Sequence, residues 1–282
     1  MLQLMNEQKE ARLKSLLNTL PPGFYVDSKW LTARGVRRSS VADYVRSGWL
    51  RHVAHGLYQR PGTAPAETKQ DWRVLVQSMQ TMMKFHIHVG GMTALQQLGH
   101  RHYLALGGSE PVYLYAARFP GWLDQSLVDA PLYLRKTALF GGADLGVDEA
   151  GAPSGSADDT REWWEWSLRL SSPERAILEA LDELPDQENF HSVDVVFQSL
   201  VSLRPRRLMA LLTACRSVKV KRLFFVFAAR HGHAWFKHLD PKGVDLGSGD
   251  RSLVKGGRLH PLYRITVPHD LFSNSEDAPD DG

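Results

Sequence analysis

Cysteine is nearly missing: Cys215 stands alone in 282 residues, which excludes an intramolecular disulfide and any cysteine-based zinc cluster. It lies in the apolar run Leu208, Leu211, Leu212, so a buried, inert thiol is expected rather than a nucleophile. Charge of one sign is also scarce. The net charge is only +3, so basicity has to be local to matter. No apolar stretch approaches the roughly 20 residues that cross a bilayer. The first residues carry Glu7, Lys9, Glu10, Arg12 and Lys14 in place of the apolar segment of a secretion signal. A cytoplasmic protein without a membrane partner is therefore expected. Acidic residues are absent between Phe85 and Gly108, leaving the pairs His86/His88 and His100/His102 without a carboxylate to complete or orient a metal site. No metal and no cofactor is expected. An enzyme is not expected either: no Ser-His-Asp order stands out, and His231 and His233 have no acidic neighbours with which to serve a nuclease.

The stretch from Asp27 to Pro61, DSKWLTARGVRRSSVADYVRSGWLRHVAHGLYQRP, reads as two short helices followed by a β-ribbon. Ser28 is expected to cap the first helix, carrying Trp30 and Leu31, and Gly35 to break it. Ser40 is expected to start the second, with Asp43 at capping-box spacing. Val41, Tyr44 and Val45 then share a buried face, leaving Arg38, Ser39, Ala42 and Arg46 outside, and Gly48 closes the helix. A tight helix–turn–helix presents its second helix to a DNA major groove. WLRHVAHGLYQRP reads as a hairpin turning at His55-Gly56, a wing. Seven Lys/Arg stand against Asp27 and Asp43 in this stretch, an electrostatic footprint for phosphate. Lys29, Arg34, Arg37, Arg38, Ser39, Ser40, Arg46, Arg51, His55 and Arg60 are the expected DNA contacts. A helical hairpin with a solvated basic face is the plain alternative.

The remaining chain predicts an α+β fold with two domains. A first helix over about 6–20, with Leu13, Leu16, Leu17 and Leu20 on one face, completes a winged helix-turn-helix domain at 1–62. PGTAPAE forms a linker, and a larger mixed α+β domain follows at 67–269. It opens on a helix with Trp72, Leu75, Val76, Met79, Met82 and Met83 at 3,4 spacing, and each stripe is expected to bury its own face. Strands are expected at 111–116, 131–140 and 162–170, a mobile acidic loop at about 141–160, and a disordered acidic tail at 270–282. Ser172-Pro173-Glu174 is a strong helix start. From Val201 to Leu239 there are nine Lys/Arg and no Asp or Glu, interleaved with aromatics, and this basic stretch could face an anionic partner. Gly247-Ser248-Gly249, near Arg251 and Lys255, reads as a β-turn rather than a phosphate cradle, because it lacks the GKS/T ending of a P-loop.

The pattern GVRRSSVADYVRSGWLRHVAHGLYQRPG resembles the winged-helix domain of the AbiEi antitoxins of type IV toxin–antitoxin, or abortive-infection, systems. SSPERAILEAL, LFFVFAARHGHAWFKHLD and DLGSGDRSLVKGGRLHPLYRITVP are similar to motifs of that family's C-terminal part. The resemblance implies a repressor of its own operon that binds promoter DNA with repeats. It also implies a C-terminal domain that counteracts a co-encoded nucleotidyltransferase toxin without a stable complex. Arg204, Arg206, Arg207, Arg216, Lys219, Lys221 and Arg222 are the expected antitoxic surface. A ligand-responsive winged-helix repressor, or a nucleic-acid-processing enzyme, remain as alternatives.

Overall fold

In the computed structural model, residues 2–62, 71–100, 110–141, 144–150 and 167–272 are described. The chain begins with helix α1 (Leu2–Thr19), then strand β1 (Tyr25–Asp27), helices α2 (Ser28–Ala33) and α3 (Arg38–Arg46), and the hairpin β2 (Arg51–Ala54) and β3 (Leu57–Gln59). The turn falls at His55-Gly56, where Gly56 takes φ +74°, a conformation that favours glycine. β1 joins the hairpin to give an antiparallel sheet in the order β1-β3-β2. That third strand is hidden in sequence, because Tyr25, Val26 and Asp27 are too few to show alternation.

Two helix starts differ from expectation. Asp27, not Ser28, caps α2, its carboxylate accepting the Trp30 N–H at 2.8 Å. α3 begins at Arg38 after an extended Arg37, so Ser40 is already inside the helix. Asp43 then sits too deep to meet orphan N–H groups, and its carboxylate accepts from Arg46 at 3.0 Å instead.

Next come α4 (Trp72–Gln77), continued by a π-helical turn at Ser78–Met82, β4 (Ile87–Val89), α5 (Gly91–Gln97), β5 (Val112–Ala116), β6 (Leu132–Lys136), β7 (Val147–Ala150) and β8 (Leu168–Ser171). The five strands form one mixed sheet in the order β6-β5-β4-β8-β7. Four helices follow: α6 (Pro173–Asp182), α7 (Phe190–Ser199), α8 (Pro205–Ala214) and α9 (Val218–His231). A two-stranded ribbon ends the fold, β9 (Arg258–Leu259) with β10 (Thr266–Val267). Ser172 caps α6 with Pro173 at its first position. Residues 147–150, expected in a mobile acidic loop, pair antiparallel with β8; 142–143 and 151–160 lie outside the described residues. Leu271 and Phe272, expected in a disordered tail, are buried instead; 273–282 lie outside the described residues.

The five-stranded sheet separates two cores, and alternation along the strands assigns the sides. Tyr113 and Tyr115 face a core built from α5 to α9. Val112, Leu114 and Ala116 face the other core, as do Ile87, Val89, Leu168 and Leu170. That second core does not stop at residue 62. It joins Leu16, Leu20, Tyr25, Trp30, Val41 and Leu57 of the winged module to Trp72, Leu75, Val76 and Met79. The Tyr25 N–H donates to Ser78 Oγ at 3.0 Å, and Ser78 Oγ donates on to Val74 O at 2.7 Å. The stripes on either side of the linker therefore share one core rather than burying separate faces.

Between the sheet and α6 lies a buried polar cluster around Glu179. Its Oε1 accepts from Arg175 Nε at 2.7 Å and meets His88 Nε2 at 3.3 Å. Its Oε2 accepts from Ser171 Oγ at 2.7 Å and from the Gly91 N–H at 3.0 Å. Arg175 donates onward to Leu145 O at 2.7 Å. Gly90 has to be glycine here: a Cβ would lie 2.6 Å from the Tyr115 ring and would collide with the Glu179 carboxylate. His88 is thus tied up in the core, and the acid missing from its own stretch arrives from a helix 91 residues later.

Candidate nucleic-acid interface

α1, α2 and α3 with the three-stranded sheet make a winged helix, and α3 is the helix such a module offers to DNA. Val41 and Tyr44 turn inward and are buried, with Val45 half-buried beside them. Arg37, Arg38 and Ser39 are exposed at the start of α3, Ser40 is half-buried, and Lys29 is exposed on α2. A cleft of about 420 Å³ runs between α2, α3 and the wing, and Arg38 shares it with Ser28, Thr32, His52, His55 and Tyr58. The ring of His52 stands edge-on to Tyr58 at 5.6 Å. The fold therefore brings Arg38 and His55, 17 residues apart by their numbers, into the lining of one cleft. Lys29, Arg37 and Arg38 have no ion-pair partner among the described residues.

Other expected contacts are placed differently. Arg34 stacks its guanidinium 3.6 Å from the Trp30 ring. It lines a separate small cleft with Arg12, Ser15 and Thr19, and burial lowers its pKa. Arg46 pairs with Asp43 at 3.0 Å, on the surface. Arg51 donates to the Gln59 side chain across the hairpin. Arg60 donates to Leu17 O and Leu20 O, each at 2.5 Å, closing the carbonyl end of α1. Burial lowers its pKa too. Arg51 and Arg60 thus brace the module internally. Trp49, just after α3, is a large apolar group 47% exposed.

The second basic stretch is not an open cationic face. Arg204 donates to Glu174 at 2.9 and 3.1 Å, and Arg207 to Asp148 at 2.5 and 2.7 Å. Burial pushes the Glu174 carboxyl up, but hydrogen bonds from Arg204 outweigh it and bring the pKa down to about 2. Lys219 Nζ donates to Asp182 O and Leu184 O at 2.6 and 2.9 Å. Lys221 is buried. Arg222 is buried as well, and its guanidinium donates to Leu246 O, Gly249 O and Arg264 O, each at 2.7 Å. Arg216 lies against Gly141. Of the seven expected residues, Arg206 is exposed and has no ion pair among the described residues. Charge counting along the chain missed these partners because Asp148, Glu174 and Asp182 come from other elements. Arg222 also brackets the Gly247-Ser248-Gly249 turn, binding Leu246 O just before it and Gly249 O at its end.

Several histidines outside the winged module are engaged as well. Asp194 meets His231 at 2.7 Å and Arg230 at 3.0 Å, and His100 meets Ser199 at 3.0 Å. Burial pushes the Cys215 thiol up to about 11, as fits an inert core thiol. No three His, Cys, Asp or Glu side chains converge to hold a metal among the described residues. No helix among those residues is long and apolar enough to cross a membrane.

Comparison with known proteins gives two family matches. Residues 109–268 match the family described as transcriptional regulator, AbiEi antitoxin, type IV TA system. Residues 9–106 match the transcriptional regulator, AbiEi antitoxin N-terminal domain. No curated protein matches the chain. Among solved structures, the crystal structure of the RV2827C protein from Mycobacterium tuberculosis is similar at a TM-score of 0.52 and 16% identity. The match covers 92% of this chain and 90% of that one, and at that identity the likeness is one of fold.

Proposed function

Because the chain belongs to the AbiEi antitoxin family, the transcriptional regulators of type IV toxin–antitoxin systems, we propose that it represses its own operon by docking α3 and the wing on promoter repeats. We propose further that residues beyond the winged module oppose a co-encoded nucleotidyltransferase toxin without a stable complex. The observation that carries the first part is the pair Arg37 and Arg38, exposed and without an ion pair among the described residues, with His55 lining the same cleft as Arg38. An unpaired guanidinium at the start of such a helix can reach phosphate or fork onto a guanine edge.

Gel-shift titrations on the protein's own promoter separate these roles. Arg37→Ala and Arg38→Ala are each expected to weaken binding about fivefold to 150-fold, the equivalent of about 1–3 kcal/mol. A phosphate contact should also flatten the salt dependence by about 0.9 per charge removed. Arg60→Ala is expected to weaken binding with the salt slope unchanged, since it braces the wing from behind. Wild-type affinity for both Arg37→Ala and Arg38→Ala would take α3 out of the interface. The double variant is further expected to lose repression while still rescuing growth in cells expressing the neighbouring toxin gene. Loss of rescue together with repression would defeat the separation of the two activities.

A further inference from the structure

A cleft of about 980 Å³ opens where the start of α8 meets the short turn Phe236–His238. Its apolar lining comes from Leu203, Pro205 and Met209, and its polar lining from Arg204, Arg206, Arg207 and His238; none of these residues is acidic. The volume falls at the upper end of the roughly 300–1,000 Å³ typical of small-molecule pockets. Two of the arginines are held by carboxylates outside the lining. Glu174, whose side chain is 2% exposed, grips Arg204, and Asp148 grips Arg207 through both of its oxygens. A guanidinium carries five N–H donors, so these ion pairs fix orientation without exhausting the donors. Arg206, exposed beside them, supplies charge with no carboxylate partner among the described residues.

We infer that this cleft binds a nucleoside phosphate, with the base on the Leu203–Pro205–Met209 floor and the phosphate at the arginine rim. The two linings demand different halves of one ligand. A guanidinium fork matches phosphate geometry and also stacks on planar rings, and a methionine thioether packs well against an aromatic ring. Inorganic phosphate would leave the floor empty, and an apolar ligand would desolvate arginines without pairing them. The phosphate can belong to a free mononucleotide or to the 5′ end of a strand, because both present the same monoester to the rim. The site is lined by residues between Leu203 and Met209 and by His238, none of them from the winged module, and does not depend on that module's use.

Isothermal titration calorimetry of the full chain with AMP, GMP, CMP and UMP tests this, alongside inorganic phosphate, adenosine, hexanoate and the 5′-phosphorylated dinucleotide pUpU. At least one mononucleotide is expected to bind tenfold or more tightly than phosphate, adenosine or hexanoate. Arg206→Ala is expected to weaken that binding about tenfold, with an unchanged melting temperature because the residue is exposed, and Arg206→Lys should lose less. Arg38→Ala should leave it unchanged. Binding of pUpU at the mononucleotide's affinity identifies a strand end as an accepted source, whereas preference for the mononucleotide identifies the free form. Silence with every nucleotide at millimolar concentration would overturn the assignment. So would phosphate or hexanoate binding as well as the nucleotides, or affinity indifferent to Arg206→Ala.

Discussion

Glu179→Ala is expected to lose roughly 3–5 kcal/mol of folding stability, the cost of breaking a buried ion pair by removing one member. The carboxylate gathers four groups: Arg175, His88, Ser171 and the Gly91 N–H. Removing it takes from the Arg175 guanidinium, itself 1% exposed, the carboxylate that neutralises it in the core. A domain's whole stability is on the order of 5–15 kcal/mol, so the variant should be largely unfolded or should melt far below the parent. Glu179→Gln, which keeps shape and hydrogen-bonding capacity but not charge, should fall between. Urea unfolding followed by circular dichroism measures this, and an Ala variant within about 1 kcal/mol of the parent would dismiss the cluster as a mainstay. The pH dependence carries its own sign. Burial works to raise the Glu179 pKa, but His88 and Arg175 outweigh it and the value is lowered. Its contribution is therefore complete above the ordinary glutamate value of about 4.3 and is lost as pH falls through the lowered one.

A fragment of residues 1–66 is expected not to fold as a stable unit, although sequence punctuation suggests that it should. β1 lies against the turn at Ser78–Met82, with Tyr25 bonded to Ser78. Trp72, Leu75, Val76 and Met79 sit in the same core as Leu20 and Leu57. Burying one such side chain contributes about 1.5–3 kcal/mol, and a chain of this size rarely holds more than about 3–5 kcal/mol in its core. Losing two or three of these contacts is enough to exhaust it. The fragment should show no cooperative thermal transition and should bind promoter DNA at least tenfold more weakly than the full chain. A sharp melt close to that of the full protein would show that the shared core is not needed.

Where the sequence was legible, the signal was local. The two helices and the hairpin turn between Asp27 and Pro61 follow from glycine placement and an i, i+3, i+4 apolar face, and Ser172-Pro173 starts α6 as expected. Family motifs identified the chain over most of its length. What stayed hidden is non-local. β1 is three residues whose strand character comes from pairing with β3. β7 reads as an acidic loop because Asp148 and Glu149 carry surface charge on an edge strand, where the period-2 pattern has only four residues to show itself. The cations from Arg204 to Arg222 are adjacent in sequence, while the carboxylates and carbonyls that engage them come from β7, α6 and the C-terminal turns. Composition along a window registers donors, not the acceptors folded against them.

The shared core beneath the winged module also bears on DNA geometry. A reader joined to its body by a loose tether can sit on neighbouring repeats at any rotational setting. Here the winged module shares its core with the strands of a five-stranded sheet, so on the proposed promoter repeats each bound copy would hold its bulk at one azimuth around the duplex. Copies on repeats a whole helical turn apart, about 10–10.5 base pairs, would stand on the same side of the DNA. Inserting about five base pairs between repeats would throw them to opposite sides and should abolish cooperative binding, and inserting about ten should restore it. Promoter titrations with both spacers read that phase directly, and equal cooperativity in the two would mean that the shared core yields on DNA.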